Sequence, residues 1–451
     1  MWEIKCVNIQ LSDHFTYKKL IQFTLPSIGM MIFTSIYGVV DGFFVSNYTG
    51  KTAFAAVNLM YPVLMILATM GFMFGTGGSA LVAKTFGEGN SKKANEDFSL
   101  FVYLSFGVGV ILSIISILNI RRIAILLGAE GELLENSVLY ASIFLMALPF
   151  NILQFLFQSF FVTAEKPQLG LVTSLSAGMT NIILDAVLVI GLPQEHKLAG
   201  AAIATAMSQV MGGGIPLLYF ARKNTSILRL GKTTFNLKSI IKAATNGSSE
   251  FMNNIAMSVV GMLYNMQLMK YAGEDGIAAY GVMMYVSLVF AGAFIGYSIG
   301  TAPIVSYHYG ARNEEELKGL LKKSLVMISG FAVCMVIAAE LLARPLSLIF
   351  VGYDVELLEL TVSGFRIFGL SFLFMGFAIY ASGFFTALND GLTSALISFL
   401  RTLVFQIAAV MLLPLIWDID GVWISIVVAE MMAVVLSGIF LVVKRGEYRY
   451  F

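Results

Sequence analysis

The sequence predicts an all-α integral membrane protein, with twelve transmembrane helices in two pseudo-symmetric six-helix bundles. Three observations carry this: a composition that cannot cover a water-facing surface, apolar stretches of spanning length along the whole chain, and an internal repeat. The 451 residues are 58% hydrophobic and only 12% charged, with a mean hydropathy of +0.84, whereas soluble domains carry roughly 25% charged residues. A helix needs about 20 apolar residues to cross a hydrocarbon core about 30 Å thick. Twelve such stretches occur, at approximately 18–46, 53–82, 98–120, 136–163, 170–192, 199–221, 246–271, 277–305, 322–343, 359–386, 394–416 and 421–443. No run of short alternating strands suggests a closed barrel. The 42 glycines and nine prolines fit membrane helices, which tolerate both better than soluble ones do. The least sharp edges are at Arg121-Arg122, which ends the third stretch, and between Lys242 and Glu250, where the seventh begins.

Cationic residues orient the chain. With a cytoplasmic N-terminus, 20 of the 28 Lys and Arg fall in inside segments and six outside, and Arg366 and Arg401 lie within spans. Such a bias places both termini in the cytoplasm. The basic tract from Arg222 to Lys242 is therefore topogenic, and no nucleic-acid partner is expected. The first residues lack the pattern of a cleavable signal and suggest a short amphipathic surface helix before the first span. Cys6 and Cys334 are badly placed for a disulfide, and His14, His196 and His308 make no zinc spacing.

Sliding the sequence against itself by 223 residues superimposes Gly50 on Gly273, Gly77 on Gly300, Gly87 on Gly310, Asn90 on Asn313 and Ser159 on Ser382. Chance apolar similarity would not hold Gly and Asn in register at loop positions. The halves are 1–220 and 245–451, joined by a basic linker at 221–244. Six spans per half make the repeat parallel, an arrangement in which transporters set their sites near the interface and rock one bundle against the other.

An ionisable group at a helix centre costs about 2.5–3.5 kcal/mol on insertion scales, so each is a functional candidate. Asp41 in the first span, Asp185 in the fifth and Thr205 in the sixth share a depth of about 10 Å below the outer boundary. Asn181 lies one turn below Asp185 on the same face. Two carboxylates, an amide and a hydroxyl form an oxygen cage that suits a hard cation; the same pair could bind protons instead. Alternatively, each acid only hydrogen-bonds to a neighbouring helix. In the repeat Asp41 maps on Tyr264, while Asp185 maps on Ala408 or Gln406, so the ion site is expected in the first half alone. Pro26, in the first span, removes a backbone bond and permits a bend.

In the second half, Glu250, Asn254 and Ser258 form a stripe at four-residue spacing, with Asn253 close to that face, expected to look into a cavity. Arg401 is at a depth to pair with Glu250, with Glu430 as an alternative partner; Arg366 has no assignable partner. No phosphate-binding loop, HExxH, GxSxG or dinucleotide fingerprint occurs. The chain is thus expected to be neither an enzyme nor dependent on a cofactor.

These features, with FGEGN (Phe86 to Asn90), YGARN (Tyr309 to Asn313) and Asp41 followed by the NxxxD of Asn181 and Asp185, resemble the multidrug and toxic compound extrusion (MATE) family. The resemblance is to its bacterial branch and covers nearly the whole chain. It implies an inner-membrane antiporter, expected to act as a monomer, exporting amphiphilic and often cationic molecules in exchange for Na+ or H+. It carries the family's cation-site positions onto Asp41, Asn181, Asp185 and Thr205, and its helix 7 acid onto Glu250. A helix 10 acid of some members is missing; Arg366 is the charge there. A lipid-linked oligosaccharide flippase is an alternative, though twelve spans and two intramembrane arginines argue against it. An integral-membrane enzyme is a third, and no cluster of catalytic residues supports it.

Overall fold

The computed structural model describes residues 9–450, except that the side chain of Ser258 lies outside the described set. The helices α1 (Tyr17–Tyr48), α2 (Lys51–Gly87) and α3 (Ser91–Leu126) are each one span. The fourth span is a bent pair, α4 (Gly131–Met146) and α5 (Leu148–Thr163), turning by 56° at Ala147. The fifth, α6 (Pro167–Leu184), continues through a π-turn at Asp185–Val189, and α7 (Lys197–Ala221) is the sixth.

A short helix, α8 (Leu237–Asn246), precedes α9 (Ser248–Gly310), which is broken at Gly273, where φ is 61° and ψ −148°. Only glycine adopts such a backbone without strain, so α9 supplies two spans. Then come α10 (Glu314–Val351) and a second bent pair, α11 (Val355–Gly369) and α12 (Phe372–Ala387), at 46°. The eleventh span joins α13 (Gly391–Phe399) to α14 (Gln406–Leu412) through a π-turn at Leu400–Phe405. The twelfth is α15 (Pro414–Val443), followed by the single turn α16 (Arg445–Tyr448). Among the described residues nine helices are by themselves long and apolar enough to span, and the bent pairs make eleven; dividing α9 at Gly273 gives twelve.

Several expected boundaries shift for physical reasons. α3 runs through Arg121 and Arg122 to Leu126, since the apolar pattern resumes at Ile123 and both arginines stay exposed, Arg121 meeting Glu135 of α4 at 2.6 Å. α15 begins at Pro414, before the expected 421, with non-helical backbone at Trp417 and Asp418. Residues 9–16 are turn and extended chain, which corrects the expected amphipathic helix over that part; residues 1–8, including Cys6, lie outside the described set. This stretch is a strap across the face that carries the basic linker. Glu165 accepts from the Leu11 amide at 2.7 Å, and Glu316 accepts from the Phe15 amide at 2.9 Å while its other oxygen meets His14 Nδ1 at 2.6 Å. α1 passes Pro26 as one helix, without the interruption a sharp bend would leave.

The repeat motifs acquire a structural reason. Asn90 and Asn313 cap α3 and α10 by accepting from the Lys93 and Glu316 amides, both at 3.1 Å, satisfying amides at the helix starts. Gly87 and Gly310 sit where α2 crosses the end of α9. A Cβ on Gly87 would meet the carbonyl oxygen of Tyr307, and one on Gly310 that of Lys84. Lys84 and Tyr307 are themselves 223 residues apart, so the two contacts are mirror copies. A second such pair is Gly77 against Gly247, the residue between α8 and α9, and Gly300 against Thr24 of α1. Small residues let backbones pack closely where lipid offers no hydrophobic drive between helices.

These close approaches all lie toward the strap-bearing face. Toward the opposite face Gly38, Gly42, Gly261 and Gly281 have open space beside them, and α1 is hydrogen-bonded to α9 as far along as Ser35, whose Oγ donates to the Leu288 carbonyl at 3.2 Å. The halves therefore form a cleft, closed at the strap and open opposite. Gly87→Ala and Gly310→Ala should each destabilise the protein by about 1–3 kcal/mol through overpacking. Thermal unfolding of the purified protein measures this, and an unchanged curve for both would mean that the crossing is not close.

Candidate functional site

The depth argument brings α1, α6 and α7 to one place, and the structure puts their oxygens in contact. Asp41 Oδ1 accepts from Asn181 Nδ2 at 3.2 Å and from Thr205 Oγ1 at 3.3 Å. Asp185 is fully buried and its carboxyl lies against that of Asp41. Asp41 is only half-buried, so it forms the mouth of the cluster and Asp185 its back. The π-turn starting at Asp185 widens the helix where this side chain enters, a distortion common at functional sites.

The polar accounting does not close. Neither oxygen of Asp185 has a hydrogen-bond donor, and neither does Asn181 Oδ1. Buried polar atoms are nearly always partnered, so three open acceptors in one cluster require an explanation. Thr205 has one hydroxyl hydrogen, shared between Asp41 and the Ala201 carbonyl at 3.1 Å. Given wholly to Ala201, it leaves a lone pair facing the acids. The site is an assembly of acceptors short of positive charge, a chemistry that suits a proton or a small hard cation.

Tyrosines that the sequence did not single out complete its wall. Tyr140 of α4 reaches Thr205 and lies beside both acids, and Tyr61 of α2 lies beside Asp41. Tyr37, one turn below Asp41, meets Gln154 Nε2 at 3.5 Å. The four-residue step from Asp41 to Tyr37 was visible in the sequence; nothing in the local pattern of α2 or α4 pointed here.

The second half is arranged differently. Arg401 pairs with Glu430, not Glu250: Nε donates to Oε2 at 2.8 Å and Nη2 to Oε1 at 2.9 Å, with Glu430 1% exposed and Arg401 12%. Both α15 and α9 pack against the π-turn that carries Arg401, and the guanidinium reaches Glu430 of α15. Glu250 feels the Arg401 charge and hydrogen-bonds with Asn253, while Asn254 Nδ2 donates to the Glu250 carbonyl at 2.9 Å. That bond lies within the helix, so Asn254 spends a donor on its own backbone. Tyr264, buried where the repeat places the counterpart of Asp41, stacks on Tyr280 with ring centroids 5.1 Å apart. Arg366 meets Glu340 at 3.6 Å near the periphery. Among the described residues no group of three or more His, Cys, Asp and Glu could hold a metal ion.

Comparison with known proteins follows the same division. The MatE family model matches residues 26–187 and again 251–412. The multidrug export protein MepA of Staphylococcus haemolyticus is 27% identical over 423 residues, covering 93% of this chain and 92% of that protein. Its namesake from Staphylococcus aureus is 24% identical over 440 residues, 96% and 94% of the two chains. Among solved structures, the outward-facing conformation of a multidrug resistance MATE transporter of the MOP superfamily matches with a TM-score of 0.92 at 21% identity, over 99% of both chains. A MOP superfamily transporter from Pyrococcus furiosus, described as having a binding pocket of reverse polarity, matches at 0.88 and 21%, over 97% of both.

Proposed function

Since the chain belongs to the MATE family of transporters, we propose that it exports amphiphilic, often cationic small molecules across a bacterial inner membrane in exchange for Na+ or H+. The observation that carries this reading is the set of donor-less oxygens on Asn181 and Asp185 beside the Asp41 carboxylate. A cation binding there relieves the repulsion between two carboxylates and draws α1, α6 and α7 together. Binding shifts an equilibrium only by its differential affinity for the two states, and the half-exposed Asp41 ties this affinity to the state of the cleft. The strap-bearing face is the cytoplasmic one on the charge count, with both termini there. The cleft then opens outward, ready to release substrate and load the ion. Glu250 offers a carboxylate to a cationic substrate, and Glu430 neutralises Arg401, which leaves that half ill suited to a pyrophosphate.

The test is efflux of a cationic dye from proteoliposomes under separately imposed sodium and proton gradients. Dye movement driven by one gradient and collapsed by the matching ionophore is the expected result. Movement indifferent to both gradients would overturn the coupling.

A further inference from the structure

Below the acidic cluster, polar groups continue through the first six-helix bundle toward the strap-bearing face. Gln154 and Gln158 stand one turn apart on α5 and are 4% and 3% exposed. Gln154 meets Tyr37, which is one turn below Asp41, but its Oε1 has no partner, and Gln158 has none for Oε1 or Nε2. The helices that hold the acids step down in parallel. On α6, Asp185 and Asn181 are followed by Ser174 and Thr173; on α7, Thr205 and Gln209 are followed by Gly212 and Pro216. Ser174 lies about 16 Å below Asp185 along its helix axis.

At the foot of this ladder is a cavity of about 10 Å³, where Gln154, Gln158, Thr173 and Ser174 meet a wall that includes Phe157 and Phe161. A single water needs about 10–15 Å³ and two to four polar partners. The missing side chain of Gly212 makes the room, since a Cβ there would collide with the Gln154 amide. Purely structural glutamines would have been given partners across the bundle; these leave two amide oxygens and one amide NH2 group facing a gap of water size.

We propose that Gln154 and Gln158, with Thr173 and Ser174, form a hydrated way station through which the monovalent coupling cation passes between the Asp41–Asp185 cluster and the strap-bearing face, inside the bundle and apart from the cleft. Amide and hydroxyl oxygens suit both an alkali cation that has shed its waters and a protonated water. The station holds no fixed negative charge, so it passes the ion on while the acids retain it. This inference rests on the coupling reading above.

The test uses the full-length protein in proteoliposomes, driven by whichever gradient powers it. Gln158→Leu should slow turnover at least tenfold while leaving the half-saturating ion concentration unchanged, and Gln158→Asn should restore part of the rate. Asp41→Asn serves as the control for the cluster itself. Wild-type turnover in both Gln158→Leu and Gln154→Leu, with Asp41→Asn inactive, overturns the way station and spares the coupling site. Transport surviving in Asp41→Asn removes the coupling reading and this inference with it. A measurement independent of the leucine variants is silver-ion reactivity of Ser174→Cys, in a background carrying Cys6→Ser and Cys334→Ser. Reaction with the cleft closed at the strap is expected, and an inert thiol in folded protein means a dry cavity and overturns the proposal.

Discussion

Asp41→Asn and Asp185→Asn should each abolish gradient-driven transport while leaving membrane insertion intact, and they should differ in their effect on stability. Each removes one charged ligand; hydrogen bonds to charged groups are worth about 1.5–3 kcal/mol, so ion affinity should fall by about tenfold to hundredfold. Asp41 Oδ1 already receives both Asn181 and Thr205, so an amide there keeps its oxygen on those two donors but turns two charge-assisted bonds into weaker neutral ones. Asp185 has no donor at all. An amide at 185 can donate to Asp41, end the repulsion and satisfy part of the open acceptor set. Asp185→Asn protein should therefore unfold at a higher temperature than wild type in ion-free buffer, and Asp41→Asn, which weakens two existing bonds, should gain less. Thr205→Ala should weaken ion dependence less, because a neutral ligand with an alternative bond to Ala201 is lost. Thermal unfolding with and without sodium, across pH, reads both effects beside proteoliposome transport. Wild-type transport in both Asp→Asn proteins would make the cluster structural and shift the search for the coupling ion toward Glu250.

The sequence was most legible where physics is one-dimensional. Spanning length and apolar content define a membrane helix without reference to its neighbours, and shared depth follows from counting residues along a helix. Asp41, Asn181, Asp185 and Thr205 could thus be placed at one level before any packing was known. The register of the repeat was equally readable, and the crossing of Gly87 and Gly310 shows why: both backbones need the same absent Cβ. Illegible features depend on azimuth and on the partner helix. Tyr61 and Tyr140 sit on helices whose rotation about their own axes no periodicity fixed. Whether Arg401 meets Glu250 or Glu430 turns on a π-turn, which adds a residue without a sequence signature. The bends at Ala147 and between α11 and α12 likewise come from packing, and the non-helical strap comes from the side-chain acceptors Glu165 and Glu316 far away in the chain.

The Arg401–Glu430 pair gives the second large effect. Removing one partner of a buried ion pair costs about 3–5 kcal/mol, because the other charge is left uncompensated. The two removals are not equivalent here. Arg401→Ala strands a carboxylate, which escapes by taking up a proton, whereas Glu430→Ala strands a guanidinium that stays charged at any relevant pH. Glu430→Ala should therefore be the more destabilising, and only Arg401→Ala should recover stability as the pH is lowered. Arg401→Met combined with Glu430→Leu should regain most of the loss, since apolar groups of similar volume need no partner. Equal, pH-independent losses in the two single variants would mean that the pair is open to water. The same geometry separates stability from transport: Glu250 is not a direct partner of Arg401, so Glu250→Gln should impair transport with little change in unfolding, and Arg401→Gln should not rescue it. A rescue would show that Arg401 leaves Glu430 for Glu250 during the cycle, coupling the two acids through one guanidinium.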